Sequence, residues 1–221
     1  MLKNRIIDLL FPRKCILCGK VLTRKQDDLC DQCRRDAEDF TKANKKISFV
    51  AGWTALWYYN ENVRISMLRY KFYHRQSYGS VYGRLLAIKL HRTALCDYDI
   101  LTWVPISQRR KWKRGYDQVQ LIAQSTGQQL GTPAVSTLRK TRHTNPQSRL
   151  SDASHRRANI LGAYAVPDPS IVAGKRILLL DDIITTGSTV SECAKTLLTA
   201  GAKEVFCAAI AAPHNKNNKN R

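Results

Sequence analysis

Two adjacent carboxylates, Asp181 and Asp182, stand between a run of apolar residues and a turn that is rich in hydroxyl groups. The turn comprises Thr185, Thr186, Gly187, Ser188 and Thr189. The apolar run predicts a buried parallel strand, and open α/β sheets bind ligands at the carboxyl ends of such strands. The turn opens a predicted helix, whose free N–H groups and dipole attract anions. The pattern therefore predicts a phosphate in the turn and sugar hydroxyl groups at the two acids.

A plainer interpretation of this segment is a helix cap beside incidental acids. Ser188 or Thr189 alone would be enough to cap the helix. However, the strand, the acid pair, the Thr-Thr-Gly turn and the helix occur together and in order. Two carboxylates would repel a bare phosphate, so their presence favours a ligand that also offers hydroxyl groups.

These residues resemble the signature of the type I phosphoribosyltransferases, which bind phosphoribosyl pyrophosphate (PRPP) on a hydrophobic strand, two acids and a Thr-Thr-Gly turn. The resemblance implies that Asp181 and Asp182 bind the ribose hydroxyl groups and that residues 185–189 bind the 5′-phosphate. It also implies a parallel-sheet α/β fold and a Mg²⁺ ion that accompanies PRPP. Regulators and binding proteins have reused this fold without catalysis, so the resemblance leaves turnover open.

A second cluster of charge follows the predicted strand that ends at Ser107. Five of the six residues from Arg109 to Arg114 are cationic, a density that suits a pyrophosphate or a nucleic-acid backbone. We assign the pyrophosphate to Ser107, Arg109, Arg110 and Arg114. We assign nucleic-acid contact to Lys111, Trp112, Lys113 and Tyr116. The two aromatic rings would stack on bases or, alternatively, pack the loop onto the domain.

A third polar cluster, residues 139–150, has no apolar periodicity and is predicted to be a mobile loop. Type I phosphoribosyltransferases close a flexible hood over PRPP, which excludes water and brings cations to the leaving pyrophosphate. The resemblance implies that this segment is the hood and that Arg142, Arg149 and Arg109 stabilise charge during catalysis. An ordinary surface loop is the alternative.

Four cysteines near the start of the chain have the spacing of a metal site. Cys15, Cys18, Cys30 and Cys33 form two CxxC pairs separated by eleven residues, which suits a tetrahedral zinc ion with a structural role. Buried thiols or a CxxC redox pair are the alternatives. The chain has seven cysteines, and this odd number with CxxC pairing favours a metal in a reducing compartment over a disulfide framework.

The charge balance indicates a polyanionic partner. The chain has 37 Lys and Arg against 17 Asp and Glu, a net charge of +20. A nucleic acid, a phosphorylated substrate or an acidic membrane surface would each fit this charge, with a solvated basic surface as the alternative. No stretch approaches the ~18 apolar residues of a membrane helix, so no membrane span is predicted.

The coarse pattern divides the chain into three parts. Residues 1–46 form the zinc-binding module, residues 47–212 a phosphoribosyltransferase-like domain, and residues 213–221 a disordered basic tail. Strands are predicted at 49–59, 99–106, 163–166, 175–182 and 204–212, and helices at 61–73, 80–92, 116–131 and 191–202. Alternation of strands and helices predicts a parallel sheet that is covered on both faces.

The order of these motifs resembles the ComF/GntX family over residues 10–212. The features are the four-Cys module, the RGYDQ sequence at 114–118, the acid pair with its turn, and a hood with Gln147, Leu150, Arg156 and Asn159. Relatives more often carry RGFNQ, and Asp117 here places an acid among the cations. The resemblance implies a cytoplasmic bacterial protein of natural transformation that handles incoming single-stranded DNA and binds PRPP, with an unsettled acceptor.

Three functions fit these observations. The first is a phosphoribosyltransferase that displaces pyrophosphate from C1 of Mg²⁺-bound PRPP. The second is a DNA-handling protein whose pocket binds PRPP or a nucleotide end without turnover. The third is an adaptor that contacts a competence helicase or DNA-uptake channel proteins through residues 1–46.

Overall fold

The computed structural model describes residues 12–41, 43, 45–93, 95, 97–142, 144 and 158–214. The helices are α1 (Asp31–Asp36), α2 (Glu61–Phe72), α3 (Tyr78–Leu90), α4 (Gln108–Arg114), α5 (Gln118–Leu130) and α6 (Ser188–Thr199). The strands are β1 (Gly52–Tyr58), β2 (Ile100–Trp103), β3 (Arg139–Lys140), β4 (Tyr164–Ala165), β5 (Arg176–Ile183) and β6 (Glu204–Ala212). Within the described residues, no helix has the length and apolarity needed to cross a membrane.

The main sheet has four parallel strands in the order β1-β6-β5-β2. The central strands are apolar over most of their length, and Ile177–Leu180 are fully buried. One face packs against α2, α3 and α5, and the other packs against α6 and the β3–β4 pair. Both faces are therefore covered, as the alternation of strands and helices predicts.

Helices α3 and α5 lie unusually close together because small residues line their contact. A Cβ atom on Gly83 would lie 2.4 Å from the Ser125 Cβ, and one on Gly79 would lie 2.9 Å from the Leu121 Cβ. Any larger residue at these two positions would push α5 outward. This close packing fixes the start of α5, from which Gln118 reaches the end of β5.

The 163–166 segment does not join the main sheet. Tyr164–Ala165 pairs antiparallel with Arg139–Lys140, which makes a separate two-stranded sheet. The backbone N–H of Thr141 donates to the Ala163 carbonyl at 2.9 Å, so the pair closes the base of the predicted hood. The hood residues Gln147, Arg149, Leu150 and Arg156 lie outside the described residues.

The zinc-binding module shares its core with the larger domain. Ile16 and Leu17, between the first two cysteines, are buried in the same cluster as Met67 on α2. The Ser66 hydroxyl donates to the Ile16 carbonyl, and Arg69 Nη1 donates to the Leu17 carbonyl at 3.0 Å. The first CxxC turn is therefore held directly by α2.

Several local predictions differ from the structure. Residues 139–140, predicted as part of a loop, form β3, and the helix predicted at 191–202 begins at Ser188. Residues 108–114 form helix α4, whereas the density of cations predicts a loop there. The first strand begins at Gly52 instead of Phe49, because Phe49 adopts a left-handed φ of 67° that a strand cannot contain. In the predicted tail, residues 215–221 lie outside the described residues, and His214 stacks on Tyr58 with ring centroids 4.2 Å apart.

Candidate functional site

The acid pair lies where three elements meet. Asp181 and Asp182 are near the carboxyl end of β5, and the Asp182 N–H donates to Asp181 Oδ1 at 2.8 Å. Lys71, near the end of α2, places its Nζ 2.7 Å from Asp182 Oδ2. Gln118, the first residue of α5, donates its amide to the same oxygen at 3.1 Å. The site is thus assembled from parts of the chain that are far apart in sequence.

The two acids differ in their electrostatic environment. Burial, together with the neighbouring charge of Asp182, raises the pKa of Asp181 to about 8. Burial also acts on Asp182, but the charge and hydrogen bond of Lys71, with the Gln118 amide, hold the pKa of Asp182 below its usual value. The two environments thus shift the pKa values of the pair apart, so that Asp182 ionises before Asp181.

Packing and hydrogen bonds hold the turn after β5 in place. Gly187 has a φ of 82°, and a Cβ there would lie 3.0 Å from the Ile47 side chain, so only glycine fits without strain. The Thr186 and Ser188 hydroxyl groups lie 2.8 Å apart, and the Ser188 N–H donates to Thr186 Oγ1 at 3.3 Å. Lys45 donates to the Thr185 carbonyl, which brings a cation to the turn at the start of α6.

Asp117 lies among cations in the sequence, but its carboxylate is held by backbone N–H groups. It is buried, and its Oδ1 accepts from the N–H groups of Val119 and Gln120, which caps α5. Its Oδ2 accepts from the Ile106 N–H at 3.1 Å. The carboxylate therefore ties the end of the β2 connection to α5. An asparagine could make only one side of this link, because its amide nitrogen cannot accept a hydrogen bond.

The five cationic side chains of helix α4 differ in their exposure to solvent. Arg110 is partly buried, and its Nη2 donates to the Thr144 carbonyl at 2.7 Å. Arg114 donates to Gln118 Oε1 at 2.6 Å, and Gln118 in turn contacts Asp182. These two arginines face the body of the protein. The other three cations, Arg109, Lys111 and Lys113, are exposed.

The two aromatic residues of this region have opposite environments. The Trp112 side chain is 86% exposed, whereas Tyr116 is 6% exposed. The Tyr116 hydroxyl donates to the Tyr70 carbonyl, and the two rings lie 5.8 Å apart. Tyr116 therefore packs the loop onto the domain and has no free face for a base, which corrects its assignment to nucleic-acid contact. Trp112 retains that assignment as a proposal.

Lys140 is a cation of the site that the sequence pattern did not single out. Its Nζ donates to the Tyr164 hydroxyl at 3.1 Å and lies 4.9 Å from the centre of that ring. Burial, with the nearby charge of Arg110, lowers the pKa of Lys140 to about 8. Asp181 acts on it in the opposite direction. Lys140 and Arg110 thus bring two desolvated cations towards the acid pair, as an anionic ligand would require.

Two further residues lacked any local signal of function, since Lys71 occupies an ordinary helical position and Lys45 lies in a charged segment. Gln118 belongs to the RGYDQ sequence, but the sequence assigned it no role of its own. Only the packing of α2 and α5 against the end of β5 reveals the contacts of Lys71 and Gln118 with Asp182. Arg142, which sequence analysis did select, is exposed and donates to the Leu161 carbonyl at 2.7 Å, at the base of the hood.

The four cysteines converge as a zinc site requires. Their sulfur atoms all lie within 4.8 Å of one another, and Cys18 Sγ is 3.7 Å from Cys30 Sγ. Tetrahedral Zn–S bonds of about 2.3 Å place the sulfur atoms about 3.8 Å apart. Cys15, Cys30 and Cys33 are buried while Cys18 is exposed, which fits a closed structural site near the surface. The donor set and its geometry fit Zn²⁺.

Comparison with protein families identifies both parts of the chain. Residues 120–221 match the phosphoribosyl transferase domain, and residues 6–44 match the double zinc ribbon domain. With the parallel sheet and the cysteine cluster, these matches confirm the predicted fold class and zinc module. Glutamine PRPP amidotransferase from B. subtilis shares 22% identity with a TM-score of 0.45, over 65% of this chain and 30% of that chain.

Individual relatives cover most of the chain. Competence protein F of Haemophilus influenzae is 28% identical over 220 residues, which are 88% of this chain and 95% of that protein. DNA utilization protein YhgH of Escherichia coli K12 is 32% identical over 204 residues, which are 87% of this chain and 88% of that protein. Competence protein ComFC of Streptococcus pneumoniae is 26% identical over 226 residues. The chain therefore belongs to the ComF/GntX family, in which it joins an N-terminal zinc ribbon to a phosphoribosyltransferase-type domain.

Proposed function

We propose that this protein binds PRPP with Mg²⁺ and acts on single-stranded DNA during DNA uptake or utilisation. One observation carries the first part: Asp181 and Asp182 lie near the carboxyl end of a buried parallel strand, two residues before the turn that opens α6. The printed names of the relatives, competence protein and DNA utilization protein, support the second part. The reducing cytoplasm is the compartment that the four free thiolate ligands favour.

In the proposed complex, each part of the ligand has its own group of residues. Asp181 and Asp182 hold the ribose hydroxyl groups, and the turn of residues 185–189 holds the 5′-phosphate through its N–H and hydroxyl groups. The pyrophosphate lies towards the cations Arg110, Arg114 and Lys140. Mg²⁺ supplies charge neutralisation for the pyrophosphate when it is bound with the ligand.

We further propose that the protein is a phosphoribosyltransferase. An acceptor attacks C1 of the ribose as the C1–O bond to pyrophosphate breaks, and the electron pair leaves with the pyrophosphate. Arg109, Arg142 and Arg149 stabilise the charge that develops on this leaving group. Catalysis in this scheme consists of positioning and electrostatic stabilisation, without a covalent intermediate.

A non-catalytic DNA-handling protein is the second candidate. The net charge of +20 and the exposed Trp112 favour it, because both serve a nucleic acid better than a small substrate. Contacts of the zinc module with a competence helicase or a DNA-uptake channel protein belong to the same proposal.

Release of pyrophosphate from PRPP distinguishes the two candidates. The assay compares wild-type protein with no acceptor, with free bases and with single-stranded DNA. Release that depends on an acceptor and is lost in Arg109→Ala supports the enzyme. Saturable PRPP binding without release under any of these conditions supports the binding protein.

A further inference from the structure

Two large aromatic side chains are exposed where α2 ends. Phe72, the last residue of the helix, is 58% exposed, and Tyr73, its C-cap, is 69% exposed. The neighbouring aromatic residue Tyr70 is fully buried. Exposed rings of this size leave apolar area in contact with water, and in soluble proteins such clusters mark contact surfaces.

The Phe72 ring is connected to the acid pair by two independent routes. Along the chain, the preceding residue Lys71 contacts Asp182 at 2.7 Å. Through space, the Arg114 guanidinium lies 5.1 Å from the centre of the Phe72 ring. Arg114 also donates to Gln118 at 2.6 Å, and Gln118 donates to Asp182 at 3.1 Å. The aromatic surface and the ribose-binding acids therefore form one continuous region.

The chemistry of this surface favours a flat, electron-rich ring attached to phosphates. The guanidinium lies over an exposed phenyl ring, and both are planar groups on which a heteroaromatic base can stack. The sequence around it is cationic throughout, since residues 62–96 and 100–116 contain no Asp or Glu. An apolar peptide would gain nothing from these charges, whereas the phosphates of a nucleic acid complement them.

We propose that Phe72 and Arg114 form a stacking site for a base of single-stranded DNA, with Tyr73 extending it, beside the ribose–phosphate site. The inference rests on the proposed function and assigns the position at which a DNA base meets the pocket. A single strand is the occupant because the bases of a duplex are already stacked on one another. The high exposure of Phe72 also suits a base tethered by its backbone better than an enclosed free base.

Binding of a labelled dT oligonucleotide to the full chain at low salt tests the proposal by fluorescence anisotropy. Base–aromatic stacking predicts that Phe72→Ala weakens binding by about tenfold. Phe72→Trp should bind at least as tightly as wild type, because it retains a stacking surface. The salt dependence of log affinity should keep its slope in Phe72→Ala, since no phosphate contact is lost. The matched control is Ile88→Ala, which truncates another exposed apolar side chain, on α3, and should leave binding unchanged.

An abasic strand of the same length separates stacking from charge. Wild type should prefer the base-bearing strand, and Phe72→Ala should bind both strands equally. Equal affinity of wild type for the two strands would overturn the proposal. Displacement of the strand by micromolar free base would also overturn it, and would make Phe72 part of an acceptor pocket instead.

The same variants separate this inference from the proposed function. Phe72→Ala should keep the stabilisation by PRPP while it loses DNA affinity. Loss of both together would show a structural role for Phe72 and overturn the stacking site. Absence of PRPP stabilisation in wild type would instead defeat the proposed function and leave the DNA result to be judged alone.

Discussion

Lys71 and Asp182 form an ion pair at the centre of the site, with 2.7 Å between Nζ and Oδ2 and little exposure of either side chain. The pair joins α2 to the end of β5. Because α2 also holds the first CxxC turn through Ser66 and Arg69, the zinc module and the ligand site share one rigid support. The proposed site therefore includes residues far from the signature turn.

Lys71→Met should weaken PRPP binding by about tenfold, an effect of ~1.4 kcal/mol. Without the cation, the Asp182 carboxylate loses its partner charge and therefore repels an anionic ligand more strongly. Calorimetric titration with PRPP and Mg²⁺ measures the change. Lys71→Arg retains the charge and should recover part of the affinity, whereas unchanged affinity in Lys71→Met would remove this residue from the site.

Arg69→Met should lower PRPP affinity about threefold to tenfold while the protein keeps one zinc ion per chain, because coupling through a shared helix is of this size. Arg84→Met is the matched control. Arg84 holds the zinc module through Asp28 from α3, whereas the side chains that bond to Asp182 come from α2 and α5. Elemental analysis measures the zinc content of both variants, and calorimetric titration measures their affinity for PRPP. Equal losses of PRPP affinity in Arg69→Met and Arg84→Met would contradict coupling through α2.

Asp181 should make the protein less stable as the pH rises. Its folded pKa of about 8 exceeds the value of about 3.9 in an unfolded chain. Between these values the folded state retains a proton that the unfolded state releases, so its stabilising contribution is present at low pH and lost as the pH rises towards 8. Asp181→Asn lacks this contribution.

Thermal unfolding between pH 5 and pH 8.5 measures this effect. The Tm of wild type minus the Tm of Asp181→Asn should decrease by more than about 2 °C as the pH rises over this range. Lys140 also titrates near pH 8 and Asp181 acts on its pKa, so both proteins are compared in a Lys140→Met background. A Tm difference that does not change with pH would show that Asp181 is ionised throughout.

The motifs formed by neighbouring residues could be predicted from the sequence, whereas the contacts between distant segments of the chain could not. The acid pair, the Thr-Thr-Gly turn and the four cysteines are contiguous or regularly spaced, so their geometry follows from short-range structure. Lys71 and Lys140 reach the site only through the packing of helices and strands separated by many residues. The contrast between exposed Trp112 and buried Tyr116 also arises from packing, because both share the same cationic sequence.

Single-stranded DNA binding should depend steeply on salt through the exposed face of α4. Each phosphate that is neutralised on a single strand contributes about −0.7 to the slope of log affinity against log salt. Replacement of Arg109, Lys111 and Lys113 by Ala should flatten this slope. The same slope in the triple variant would place the DNA on another surface, and no binding by wild type at low salt would reject the DNA partner.

Thermal unfolding with and without PRPP and Mg²⁺ tests the central claim most directly. A ligand at a hundredfold excess over its Kd stabilises the folded state by about 2.7 kcal/mol. For a chain of this size that corresponds to a rise of about 5–10 °C in the Tm. The variant with Asp181→Ala and Asp182→Ala should lose this rise, whereas Asp97→Ala, which removes an exposed acid near the opposite end of β5, should retain it. An undiminished rise in the double variant, or none in wild type, would contradict PRPP binding at the acid pair and its turn.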